Sequence, residues 1–173
     1  MYKMNLQLPK GYKRAVLVFD GAMSQPVVKV NGKEAGRWAY GYNAFRIDIT
    51  PYVKFGGKKN LVEVHLNNVE ESSRWYPGGG LYRPVSVELY GNENFSTWDT
   101  FVRTLKADKQ EAKVEVNALL EGKIGKSGKT VIALLDAAGT KVAEQTISGA
   151  TPAIKTTLKV ANPQLWSPES PYL

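Results

Sequence analysis

Apolar side chains recur at every second position in this chain, in short runs, and almost nowhere at helical spacing. Tyr2, Met4, Leu6 and Leu8 alternate with Lys3, Asn5 and Gln7, and Phe45, Ile47 and Ile49 alternate with Arg46, Asp48 and Thr50. The same period governs Leu61-Val62-Glu63-Val64-His65-Leu66, then Ala112, Val114, Val116 and Ala118, then Ile154, Thr156, Leu158 and Val160. A period of two puts one face of a strand on a core and the other in water. Ala15-Val16-Leu17-Val18-Phe19 is apolar on both faces and predicts a central strand, and residues 131–135 predict a second buried one. The breaks between runs are turn chemistry. Pro9-Lys10-Gly11, Asp20-Gly21 and Ala138-Gly139 each close a strand, and Asn31-Gly32 predicts a two-residue hairpin whose residues accept positive φ. Thr50-Pro51 is the one helix signal, a capping residue before a first-turn proline, and Gly56-Gly57 ends it within about a turn. The fold class is therefore all-β, and a hydrophobic content of 43% is enough to fill its cores.

Gly91-Asn92-Glu93-Asn94 is a polar linker, and it predicts two domains, 1–90 and 91–173. In the second, five strands are expected near 100–106, 112–118, 131–135, 141–147 and 154–160. Their regular spacing, with turn signals between them, predicts an immunoglobulin-like β-sandwich.

Several functions are disfavoured. The net charge of +7 invites nucleic acid, and most of it lies in residues 1–90, where thirteen Lys and Arg face seven acidic residues. The longest basic runs are only pairs, Lys13-Arg14 and Lys58-Lys59, and no recognition helix or aromatic RNA-binding strand accompanies them. No nucleic-acid partner is expected. Without cysteine there is neither a disulfide nor a thiolate metal site, and the redox compartment is not readable. His65 is the only histidine and reads as an outward or satisfied strand residue, so neither metal nor cofactor is expected. No apolar run approaches the roughly 18 residues of a membrane-spanning helix. Met1 leads directly into a strand, so the sequence is expected to be a piece of a longer protein. Export to the periplasm or medium and a cytoplasmic location both stay open.

One stretch cannot be a strand. Glu71-Ser72-Ser73-Arg74-Trp75-Tyr76-Pro77-Gly78-Gly79-Gly80-Leu81-Tyr82-Arg83-Pro84 carries three consecutive glycines, and its prolines fix a loop. Adjacent aromatic rings beside arginine suit sugars, because rings stack on C–H faces while a guanidinium donates forked hydrogen bonds to hydroxyls. The plainer reading is that the aromatics plug one end of a sandwich while Arg83 caps carbonyls.

Ser73-Arg74-Trp75-Tyr76-Pro77-Gly78-Gly79-Gly80-Leu81-Tyr82-Arg83 resembles a signature of glycoside hydrolase family 2, closest to its bacterial β-galactosidases. Two further runs resemble the same family in the same order. One is Val30-Asn31-Gly32-Lys33-Glu34-Ala35-Gly36 with Phe45-Arg46-Ile47-Asp48-Ile49-Thr50-Pro51-Tyr52. The other is Leu165-Trp166-Ser167-Pro168-Glu169-Ser170-Pro171-Tyr172-Leu173, which closes the second sandwich.

The resemblance implies a galactose-binding-like jelly roll in residues 1–90 that lacks its first strands, so that an open edge favours self-association and a homo-oligomer. It implies that the immunoglobulin-like sandwich lacks its last strand. Double displacement needs two carboxyls about 5–5.5 Å apart. In the family both are glutamates of a barrel beyond residue 173, so no catalytic residue is expected here. Glu63 and Glu88 fall in the polar phase of their strands and are expected to be solvated. Glu70-Glu71 are neighbours in a loop whose side chains diverge.

For the loop, the resemblance implies a place at the barrel's mouth. Arg74 is then a candidate sugar contact, with Trp75 and Tyr76 stacking on sugar or packing on the barrel. Gly78, Gly79 and Gly80 would set backbone geometry, and Arg83 would anchor the loop inside the sandwich. The chain is thus expected to be the non-catalytic N-terminal region of a β-galactosidase, partnered by β-galactoside and by its own barrel. A β-glucuronidase or β-mannosidase of the family is the alternative within the class, and a stand-alone carbohydrate-binding module the alternative outside it.

Overall fold

The computed structural model describes residues 1–69, 71, 78–125, 127–149 and 151–172. The chain forms two compact units, Met1–Gly91 and Asn92–Leu173. Both are β-structure, as the alternation requires, and no α-helix occurs among the described residues.

The first unit holds β1 (Tyr2–Gln7), β2 (Arg14–Phe19), β3 (Val27–Val30), β4 (Lys33–Arg37), β5 (Phe45–Asp48), β6 (Lys59–His65) and β7 (Val85–Tyr90). They make two antiparallel sheets, β1-β6-β3-β4 and β5-β2-β7. Both sheets feed one core: Leu17 and Phe19 from β2, Val28 and Val30 from β3, Phe45 and Ile47 from β5, Val62 and Val64 from β6. β2 is central and buried, as its doubly apolar sequence predicts. β1 pairs β6 alone among the described strands, and its burial fades from Leu8 out to the exposed Met4 and Tyr2, so the predicted half-buried strand is covered only at its C-terminal end. Asn31 and Gly32 take φ of +52° and +81°, the conformation that a tight hairpin between β3 and β4 demands.

The helix signal is a single 3-10 turn, Thr50–Tyr52, and Thr50 does not cap it. Its hydroxyl instead accepts from the Ala15 amide at 3.0 Å, while Asp48 Oδ1 accepts from the Thr50 amide at 2.9 Å. The predicted cap is not made because the Thr50 hydroxyl is engaged by the Ala15 backbone of β2, and the Tyr52 amide donates to the Ile49 carbonyl instead.

Asn60, at the start of β6, is 0% exposed and fully used. Its Oδ1 accepts from the Lys54 amide (2.7 Å) and Asn31 Nδ2 (3.0 Å), and its Nδ2 donates to the carbonyls of Lys54 (2.9 Å) and Lys58 (3.1 Å). Asn31 Nδ2 also reaches the Tyr52 carbonyl, and Asn31 Oδ1 accepts from the Leu61 amide. Two asparagines thereby satisfy the backbone where hairpin, 3-10 turn and β6 meet, at the end of the sandwich opposite the glycine-rich loop.

The second unit holds β8 (Glu93–Phe95), β9 (Phe101–Ala107), β10 (Glu111–Gly122), β11 (Lys129–Leu135), β12 (Lys141–Ser148) and β13 (Ala153–Ala161). Long β10 pairs β13 along one edge and β9, then β8, along the other. Ala112, Val116 and Ala118 from β10 pack with Ile154 and Leu158 from β13 as its buried core. Two expectations need correction. The stretch read as linker contains β8, because Asn94 and Phe95 find partners in Glu121 and Leu120, far along the chain. Strand β11 is not buried: among the described strands it pairs only β12, in a two-stranded ribbon that leaves Val131 and Leu135 exposed.

Glu115, itself buried, meets Arg103 at 2.9 Å and Lys155 at 3.4 Å across β9 and β13. At the β9–β10 turn, Asp108 accepts from the amides of Gln110 (2.9 Å) and Glu111 (2.8 Å), and Lys106 Nζ lies 3.0 Å away.

Replacing Asn60 by Leu should cost roughly 2–4 kcal/mol, because it strands several buried backbone groups. Urea unfolding of the two proteins checks this, and a loss below about 1 kcal/mol would contradict it. Lys106 and the two turn amides hold the Asp108 carboxyl down at about 2, from an ordinary 3.8. With a depressed folded value, its stabilisation is complete above the unfolded value and lost as pH falls through about 2. A carboxyl-carbon NMR titration should place the Asp108 midpoint there, not near 3.8.

Candidate functional site

The described part of the glycine-rich loop is rooted in the first unit by contacts that interlock. Gly80 and Met23 exchange both backbone hydrogen bonds at 2.9 Å, an isolated antiparallel bridge, and Gly80 holds a φ of +137° that disfavours any side chain. Two residues on, the Tyr82 hydroxyl donates to the Gly41 carbonyl at 2.8 Å. Its ring lies so close over Gly21 that a Cβ there would sit 2.6 Å from the ring, so only glycine fits. The Asp20 amide then donates to the Pro84 carbonyl at 3.1 Å, where the loop enters β7.

Of the predicted loop-geometry residues, Gly80 is part of this bridge. Gly79 lies beside Asn68, and no described atom comes within 4 Å of where a Cβ on Gly78 would sit. Arg83 does not sit inside the sandwich. It is exposed, lies 5.3 Å from the Tyr82 ring centroid and reaches the Asp20 carbonyl only at 3.5 Å. The candidate sugar contacts Arg74, Trp75 and Tyr76 lie outside the described residues, as does Glu70.

The loop's roots share their end of the sandwich with residues that sequence reasoning passed over. Ser24 Oγ donates to the Asn67 carbonyl (2.6 Å), the Asn67 amide donates to the Ser24 carbonyl (2.9 Å), and Asn67 Nδ2 donates to Gln25 Oε1 (3.0 Å). Beside them, Gln25, Val27, Arg37, Trp38, Ala39 and Asn67 line an open cleft of about 520 Å³. The available signal was the aromatic density just after β4, where Trp38, Tyr40 and Tyr42 crowd a loop as Trp75, Tyr76 and Tyr82 do.

The carboxylates are the wrong kind for general-acid work. Glu63 is held below the usual range by Lys3 at 2.7 Å. Glu88 is lowered by the Tyr90 hydroxyl and then by Arg46, and Glu115 by Asn117 and then Arg103. For Asp48, burial raises the value, but the bonds from Thr50 and Arg14 outweigh it. A general acid needs a carboxyl pushed up, and these are all pushed down. Glu63 and Glu88, read as solvated, are ion-paired across strands instead. His65 ends β6 opposite Val27 and is half-buried. No group of three potential metal-binding side chains occurs among the described residues, and none of the helices there is long and apolar enough to cross a membrane.

Comparison with known proteins extends this picture. Residues 95–173 match the sequence model of the family described as Glycosyl hydrolases family 2. The chain is 36% identical over 163 residues to the β-galactosidase BoGH2A of Bacteroides ovatus, covering 90% of this chain and 19% of that protein. It is 31% identical over 181 residues to a β-glucuronidase of Bacteroides fragilis, covering 93% of this chain and 26% of that one. The crystal structure of a glycosyl hydrolase family 2 member from Bacteroides cellulosilyticus superposes with a TM-score of 0.83 at 32% identity, over 98% of this chain and 24% of that one. The chain therefore spans about a fifth to a quarter of the relatives it matches. With both units aligned to such proteins, the chain belongs to glycosyl hydrolases family 2.

Proposed function

We propose that this chain is the non-catalytic N-terminal region of a retaining glycosidase, and that the whole protein hydrolyses terminal β-galactosides. Family membership makes carbohydrate the substrate class. The galactoside reading rests on the likeness of Ser73–Arg83 to the bacterial β-galactosidases, together with the 36% identity to one such enzyme over 90% of the chain. A β-glucuronidase is the second reading, and identity does not separate the two, because a putative β-glucuronidase of Formosa agariphila is also 36% identical, over 93% of the chain. In this proposal, residues 1–90 are a galactose-binding-like jelly roll and residues 91–173 an immunoglobulin-like sandwich. Two facing antiparallel sheets around one core support the first, and a long β10 flanked by β13, β9 and β8 supports the second.

The chemistry of the described carboxylates supports a supporting role for this region. With each shifted group held ionised by a partner, the acid and the nucleophile of a double displacement belong elsewhere in the protein, on a barrel of the same chain. What this region supplies is a loop fixed at its C-terminal root by the Gly80–Met23 bridge and the Tyr82–Gly41 bond. Arg74 is proposed to donate to sugar hydroxyls from that loop, with Trp75 and Tyr76 as flat faces beside it. Fixing the root lowers the ordering cost that a free glycine-rich loop would add to each substrate.

The protein read from its complete reading frame should be several-fold heavier than 19.1 kDa and should cleave nitrophenyl β-galactoside faster than nitrophenyl β-glucuronide. Arg74→Ala should lower kcat/KM on the galactoside by roughly tenfold or more, the loss of one charged hydrogen bond in the transition state. Faster turnover of the glucuronide would replace the first reading by the second. A native product of this size without hydrolytic activity would leave a carbohydrate-binding module.

A further inference from the structure

The cleft lined by Gln25, Val27, Arg37, Trp38, Ala39 and Asn67 has a floor unlike the rest of the surface. Phe19 and Phe45 stack at 4.7 Å with planes 3° apart, and Trp38 stacks on Phe45 at 5.6 Å and 7°. Exposure along this stack runs 0%, 3% and 39%, so Phe45 lies between a buried ring and an indole that opens to solvent. Trp38 cannot swing away. Its indole N–H donates to Asn43 Oδ1 at 2.9 Å, and its amide donates to the Pro26 carbonyl at 3.0 Å. An exposed tryptophan fixed at its edge, its backbone and one face is a pre-organised platform for an apolar ring surface.

The rim is polar and equally fixed. Gln25, at a φ of +47°, is tied to Asn67 by the amide–amide bond, which leaves the Gln25 NH₂ group its donors. Arg37 donates from Nε and Nη2 to Glu34 Oε1, at 2.9 and 2.7 Å, and keeps further N–H donors. That pairing also sets a carboxylate against its charge. The cleft therefore presents one flat aromatic face, amides, and a guanidinium paired with Glu34, with no second cation among its described lining residues.

We infer that this cleft is a binding subsite for a neutral pyranose unit, its C–H face on Trp38 and its hydroxyls on Gln25, Asn67 and Arg37. The ligand class rests on the carbohydrate reading above. The preference for a neutral sugar over a uronate rests on the Arg37–Glu34 pair alone. A cleft of this volume falls in the usual range for small-ligand sites, and its floor is built into the core rather than carried on a mobile side chain.

The test is ligand-observed NMR titration of the chain with methyl β-galactopyranoside and, separately, methyl β-glucuronide. Four variants, Trp38→Ala, Gln25→Ala, Arg74→Ala and, at the opposite end of the sandwich, the exposed Lys58→Ala, are checked for folding by circular dichroism. The galactoside should bind, weaken about tenfold in Trp38→Ala and severalfold in Gln25→Ala, and be unchanged in Lys58→Ala. If Trp38→Ala fails to fold, quenching of tryptophan emission by the galactoside, lost in Trp38→Phe, carries the same expectation. Overturning results are no galactoside binding, binding lost in Arg74→Ala but not at Trp38 or Gln25, or tighter binding of the glucuronide. The enzyme reading is scored separately, by hydrolysis in the complete protein. Hydrolysis without Trp38-dependent binding sinks this inference alone, and Trp38-dependent binding without hydrolysis supports it while removing the enzyme reading.

Discussion

The close approach of Tyr82 to Gly21 governs how one end of the first sandwich is built. With the ring pressed on a backbone that has no Cβ, the Tyr82 hydroxyl reaches the Gly41 carbonyl across the same gap. A Cβ at Gly41 would in turn strike the Met23 sulfur at 2.5 Å, and Met23 is the residue that pairs with Gly80. Three loops, from the β2–β3, β4–β5 and β6–β7 connections, are thereby closed into one ring of contacts. A loop of three glycines has a high conformational entropy to lose, and such a ring sets where its described end begins.

The sandwich thus has two differently built ends. At one, Asn31 and Asn60 satisfy backbone groups with amide side chains, and nothing is left over for a ligand. At the other, the glycine-rich loop is rooted and the Trp38 cleft opens, because Gln25 and Asn67 extend β3 and β6 past the pair Val27–His65. The Phe19–Phe45–Trp38 stack joins that second end directly to the core. Packing in the interior therefore fixes the orientation of a surface aromatic, which is how a rigid scaffold gives a loop region useful precision. The ion pairs have a different role. Lys3–Glu63 and Arg14–Asp48 bridge neighbouring strands, Arg46–Glu88 reaches across β2 from β5 to β7, and all three keep the carboxylates ionised and out of acid–base chemistry.

Much of this was legible in the sequence, for a reason that can be stated. Alternation is local, so β1, β5, β6, β10 and β13 could be read from runs such as Phe45-Arg46-Ile47, and Asn31-Gly32 carried its own turn type. What escaped depends on distant partners. Asn60 looked like a strand's polar start, yet it is buried through Asn31, Lys54 and Lys58. β8 is three residues long and exists only because β10 runs on past β9 to meet it. Val131 and Leu135 carry the composition of a buried strand, but a two-stranded ribbon leaves one face in water. Arg83, which the resemblance placed inside the sandwich, is exposed beside the Tyr82 ring. Nothing in the run around Trp38 marks it as a platform, which only the stack beneath it reveals.

The central claim is that the glycine-rich loop is rooted in the sandwich through Met23 and Gly80 as firmly as a strand. Amide hydrogen exchange resolved to single residues tests it most directly. The Gly80 and Met23 amides should exchange on the slow timescale of core-strand amides such as Val28 and Val64, opening only with the unit as a whole. Exchange of those two amides at the unprotected rate, with Val28 and Val64 still slow, would contradict the account.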